Sequence, residues 1–145
     1  MARAGMVHAL EKIHRLLAPD GYLIDIHPMP EPTAIEVRVG ARTTPAGWLD
    51  DHEDYGDYEA AEEALARVVR SGLFVVEREG AFAMITHADT ITELRDYVAE
   101  EWEEARIDDL TVARAEELLS TPERDKEAIL RESVRIACLK PVHGN

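Results

Sequence analysis

Apolar and polar positions recur along the chain with two periods, and the switches between them mark the elements. Val7, Leu10, Ile13, His14 and Leu17 fall near three-and-four spacing, which puts them on one face of an amphipathic helix. Pro19-Asp20-Gly21 then turns the chain, since proline presets one backbone angle and glycine accepts a positive one. Tyr22 to Ile26 is mostly apolar on both faces, the pattern of a short strand covered by helices on each side. Prolines at 28, 30 and 32 deny backbone donors and predict an extended connector. Thr33 to Val39 alternates, with Ile35, Val37 and Val39 opposite Glu36 and Arg38, as in a half-exposed strand. Gly40 ends it, Arg42 to Gly47 reads as a loop, and Trp48-Leu49 begins a short return strand.

Asp50 to Glu63 carries eight acidic residues and no lysine or arginine, and its later part turns helical. Ala61, Ala64, Leu65, Val68 and Val69 hold the apolar face, acids fill the first turns, and Arg67 and Arg70 fill the last, in accord with the helix dipole. Ser71-Gly72 stops that helix. Leu73 to Val76 and Ala81 to Ile85 read as two apolar strands of a hairpin whose turn is Glu77-Arg78-Glu79-Gly80. Thr90 and Glu93 form a capping-box pattern ahead of Ile91, Leu94, Val98 and Trp102. A second helical pattern with Leu110, Ala113, Leu118 and Leu119 starts near Ile107-Asp108-Asp109. Ser120-Thr121-Pro122-Glu123 opens a further helix, with Pro122 at its first position, and Val134 to Leu139 is the closing strand. The order predicts an α+β fold: a mixed sheet of about five to six strands with an antiparallel hairpin, packed by about four to five helices. At 145 residues the chain is expected to form a single domain.

Charge narrows the function classes. A net charge of -14 opposes binding to nucleic-acid phosphates and to anionic membrane surfaces, both of which need clustered lysine and arginine. The acidic run Glu100, Glu101, Glu103 and Glu104 reads as a solvated helix face that could meet a basic protein partner. Cys138 is the only cysteine, which excludes an internal disulfide and multi-cysteine zinc sites; between Ala137 and Leu139 it reads as a buried structural thiol. Without an apolar leader or a membrane-spanning run, a soluble cytoplasmic protein is expected.

The opening stretch resembles the late part of a class I S-adenosylmethionine-dependent methyltransferase domain. Ala9, Leu10, Arg15, Leu17, Pro19 and Gly21 match the helix and turn that lead there into the fifth strand; Asp20 stands where a glycine is usual. The resemblance implies that Tyr22 to Ile26 is that fifth strand and that later strands form an antiparallel edge. It also implies that the cofactor would be held upstream, by a glycine-rich turn after the first strand and an acidic residue after the second. No G-x-G-x-G-like run occurs in this chain. The expected function is therefore a non-catalytic methyltransferase-like remnant, a small dimeric binding or interaction domain with no cofactor. S-adenosylmethionine enters through the resemblance alone. A fifth strand without its upstream neighbour has a bare edge, so a homodimer through the Tyr22–Ile26 strand or the Val7–Leu17 helix is expected. Two alternatives stay open: a methyltransferase fragment completed by another chain, and an unrelated α+β domain with a small-molecule pocket built from Trp48, His27 and the hairpin aromatics.

Candidate chemistry is sparse. His27 ends the apolar strand, where ligands sit in open α/β sheets, and could act as a general base oriented by Asp25; otherwise it caps the strand end. His87 and Asp89 follow the second hairpin strand as local caps, with His87 a further pocket candidate beside Trp48. His52 lies among Asp50, Asp51, Glu53 and Asp54, but neither calcium-loop nor two-histidine zinc spacing is present, so no metal is expected.

Overall fold

Lys126–Pro141 forms one strand of 16 residues, β5, and the rest of the sheet assembles on it. The computed structural model describes residues 3–50 and 55–144. In chain order its elements are α1 (Arg3–Leu16), β1 (Leu23–Pro28), β2 (Ala34–Val39), β3 (Arg42–Trp48), α2 (Gly56–Arg70), β4 (Phe74–Ala88), α3 (Ile91–Glu101), α4 (Asp109–Leu119) and β5. The second half of β5 pairs antiparallel with β1, from Leu23 opposite Leu139 to Pro28 opposite Val134. Its first half pairs antiparallel with β2, from Ala34 opposite Arg131 to Val39 opposite Lys126. β3 pairs with β2, and β4 also pairs with β5. The fold is α+β as expected, and the antiparallel hairpin it contains is β2–β3.

Two compact units divide the chain. The first comprises Met1–Pro30, Asp54–Phe82 and Ser133–Asn145; the second comprises Glu31–Glu53 and Ala83–Glu132. In the first, α1 packs on α2, and Val68, Phe74, Ala137 and Leu139 form a core edged by Val7, Leu10, Leu17 and Leu23. Helix α2 follows its sequence pattern: Ala64 and Val68 are buried, Asp57 and Glu59 lie in the first turn, and Arg67 and Arg70 in the last. Gly72, at φ 82°, takes the left-handed conformation that ends it. In the second unit, Ile35, Leu94, Val98, Ile107 and Leu130 are almost completely shut from solvent. Its helices start on side-chain caps, with the Glu93 N–H donating to Thr90 Oγ1 at 3.1 Å and the Thr111 N–H to Asp108 Oδ1 at 2.8 Å.

Several expectations are corrected. The hairpin at 73–85 is instead the continuous strand β4; Gly80 has no positive φ, and exposed Glu77, Arg78 and Glu79 sit within the strand rather than in a turn. The supposed loop at 42–47 is β3 itself, and the turn is at Gly40, whose φ of 60° suits glycine. Pro45 is tolerated there because β3 ends the strand order and needs donors on one side only. No helix opens at Ser120–Glu123; Lys126 Nζ donates to Leu119 O at 2.8 Å and Thr121 O at 2.7 Å, and the chain enters β5. The closing strand therefore begins at Lys126 rather than Val134. In α4 Leu118 and Leu119 pack against the core as expected, but the buried residues are Thr111 and Ala115, and Leu110 is 70% exposed. Strand β1 is covered on one face only: Ile24 and Ile26 are 53% and 57% exposed. Among the described residues, no helix is long and apolar enough to cross a membrane.

Candidate functional site

The alternation of β1 turns Leu23, Asp25 and His27 to the face opposite Ile24 and Ile26, and register with β5 sets Arg135 directly across from His27. His27 is 7% exposed. Its Nδ1 lies 2.5 Å from Asp25 Oδ2, and its Nε2 lies 3.5 Å from Glu62 Oε1 on α2. Arg135 extends the chain of charges, with Nη1 3.7 Å from Glu62 Oε1 and Nη2 2.8 Å from Glu79 Oε2. Its pKa is raised, first by the hydrogen bond to Glu79, with the charges of Glu79, Glu62 and Asp25 reinforcing it against desolvation. Arg135 is therefore a fixed cation at any working pH.

These side chains border a cavity of about 540 Å³ within the first unit. Leu65, Ala66, Val69, Val76, Ala137 and Leu139 give it an apolar wall. The polar part is His27 with four carboxylates, Glu59, Glu62, Glu63 and Glu79, against two guanidiniums, Arg70 and Arg135. The volume is that of a small-molecule site. With Asp25 accepting from Nδ1–H, the other ring nitrogen, Nε2, is turned toward the Glu62 carboxylate, so the imidazole and Glu62 border the cavity together.

Asp25 and His27 are thus brought together as expected. Trp48, at the end of β3 and 60% exposed, and His87, near the end of β4, belong to the second unit, and neither lines the cavity. His87 Nδ1 is 2.9 Å from Glu127 Oε1, which also accepts from Arg38 Nε at 3.0 Å. The Asp89 N–H donates to Glu93 Oε2 at 3.3 Å, so Asp89 belongs to the helix cap. His52 lies outside the described residues. Cys138 is a free thiol opposite Ile24 in the β1–β5 ladder, only partly buried. Glu62, Glu79 and Arg135 were not singled out from sequence; the acidic side of the α2 pattern was a signal for Glu62 alone.

Among the described residues, no cluster of histidine, cysteine, aspartate and glutamate is arranged to hold a metal ion. The described glycines with positive φ are Gly40, in the β2–β3 turn, and Gly72, behind α2. Neither belongs to the glycine-rich cradle that the methyltransferase resemblance associates with S-adenosylmethionine. No family model, curated protein or solved structure matches the chain.

Proposed function

We propose that this protein is a small, non-catalytic binding domain that holds a small molecule in the cavity beside His27. One observation carries the reading. A buried imidazole is oriented from behind by Asp25 at 2.5 Å, while its other nitrogen has only a 3.5 Å contact and borders an apolar-walled cavity. Such a wall with a few convergent polar groups is the usual form of a ligand site. The cavity reading does not depend on the methyltransferase resemblance. That resemblance stays with the sequence of the opening stretch; the passage of α1 into β1 and the antiparallel β1–β5 pair are compatible with it.

On the same reading two copies meet through β1. The strand stands at one end of the sheet order and exposes Ile24 and Ile26, whereas Val7, Leu10 and Leu17 of the opening helical stretch pack into their own unit. Sedimentation at tens of micromolar (roughly the range of a modest interface) is expected to show a dimer; a monomer would contradict this part. The exposed face of β1 also favours the second reading, a methyltransferase fragment completed by another chain. Titration with S-adenosylmethionine separates the two. No amide shifts are expected with this chain alone, and saturable shifts that appear only once a completing chain is added would support the fragment reading.

A further inference from the structure

We infer that the His27 cavity selects an organic cation: an ammonium group carried on an apolar body. The inference rests on the reading of this cavity as a ligand site and specifies the chemistry it takes. Charge is the first reason. Of the four carboxylates at the cavity, Glu63 is engaged by Arg70 at 3.1 Å and Glu79 by Arg135 at 2.8 Å. Glu62 shares the far side of Arg135 at 3.7 Å, and Glu59 has no ion-pair partner among the described residues. The lining therefore carries more negative than positive charge, and both guanidiniums are already occupied by carboxylates. An anionic ligand would have to break those pairs to find a donor, whereas a cation meets Glu59, and Glu62 with its longer contacts of 3.5 and 3.7 Å, without displacing a close pair.

His27 is the second, independent reason. More than nine-tenths buried, it is fixed between two acceptors, Asp25 Oδ2 at 2.5 Å from Nδ1 and Glu62 Oε1 at 3.5 Å from Nε2, so it brings no free donor for an anionic ligand. An ammonium group donates in three directions and accepts in none, so the carboxylates of Glu62 and Glu59 are complementary to it. The apolar body is required by the wall: Val76 is 38% exposed and shares that wall with Val69 and Leu139. A small hydrated ion would leave those surfaces wet. The overall charge of -14 adds long-range attraction for a cation and repulsion for an anion.

The test uses three probes that share one apolar body: phenylpropylamine, phenylpropanol and phenylpropanoate. Each is titrated into the full chain, and methyl and amide signals of Val69, Val76 and Ala137 are followed. The amine is expected to bind about tenfold tighter than the alcohol, with the carboxylate weakest, as a charge-assisted hydrogen bond outweighs a neutral one. Raising salt is expected to narrow the gap between amine and alcohol. Glu59→Gln is expected to lower amine affinity several-fold and to leave the alcohol unchanged; since Glu59 holds no ion pair among the described residues, that variant is expected to keep the fold. Alcohol or carboxylate binding at these residues as tightly as the amine would overturn the cation inference and leave the ligand site standing. No saturable shifts from any probe would overturn the ligand site itself.

Discussion

The two units treat their polar groups in opposite ways. In the second, Ile35, Leu94 and Leu130 are fully buried, and several charged side chains end in pairs at the surface or on helix starts: Arg38 holds Asp125 and Glu127, and Asp108 caps α4. In the first, Val68, Phe74 and Leu139 are buried, but half-exposed Leu65, Val69 and Val76 line a cavity into which His27 and several carboxylates are gathered. A folding core excludes polar groups or pairs them off; a ligand site keeps a few oriented groups beside apolar surface that solvent still reaches. The contrast assigns stability chiefly to the second unit's packing and recognition to the first.

The strongest way to break that contrast is to compare two truncations. Leu94→Ala, at a fully buried position, is expected to cost about 3 kcal/mol in denaturant unfolding. Val69→Ala, on the cavity wall, is expected to cost about 1 kcal/mol, because fewer packed contacts are lost and water already reaches the site. Equal losses would erase the distinction. The next largest effect is at Gly47. A Cβ there would lie 2.4 Å from Thr111 Oγ1 and 3.2 Å from Thr111 Cβ, and Thr111 is buried and β-branched, so it cannot swing aside. Gly47→Ala is expected to destabilise by about 2 kcal/mol, measured by the same unfolding curves, and Thr111→Ala, which removes the clashing Oγ1, to recover part of that loss.

Smaller still is the capping of α3. Thr90→Ala removes the acceptor for the Glu93 N–H and is expected to cost about 1 kcal/mol. The mildest effect is on pH dependence. Asp108 is held below its usual pKa by hydrogen bonds from Thr111, and Asp125 and Glu127 by Arg38. Their contributions are fully present above the ordinary carboxylate range and are lost as pH falls through the lowered folded values. Glu132 acts in the opposite sense, because burial raises its pKa; its ionised form costs stability, and that cost is relieved on protonation. Acid unfolding curves are expected to show a net loss below the ordinary carboxylate range, smaller in Asp108→Asn.

How far each region could be read from sequence follows from the range of the interactions that make it. Helix α2 was legible throughout, since its apolar period, its acidic start and basic end, and Gly72 are all local. The Thr90–Glu93 cap was legible for the same reason. The long strands β4 and β5 were not. Glu77 to Gly80 has the composition of a turn, yet it lies within a strand that pairs with β5, distant in the chain. Tyr22 to Ile26 has the composition of a doubly covered strand, but helices meet one face alone. At the site, Asp25 and His27 could be linked because they are two apart on one strand. Arg135 and Glu62 could not, since their positions depend on the β1–β5 register and on α2 packing against β1. Trp48 and His87 were drawn into the same pocket by residue type alone, with no local pattern to place them.

The most direct test of the account is a long-range proton–nitrogen correlation spectrum of the His27 ring, taken with and without saturating phenylpropylamine under conditions where the ring is neutral. The account predicts a proton on Nδ1, held by Asp25, in both spectra, and a shift of the Nε2 signal when the amine binds. A proton on Nε2 in the free protein, or an Nε2 signal unmoved at saturation, would contradict it.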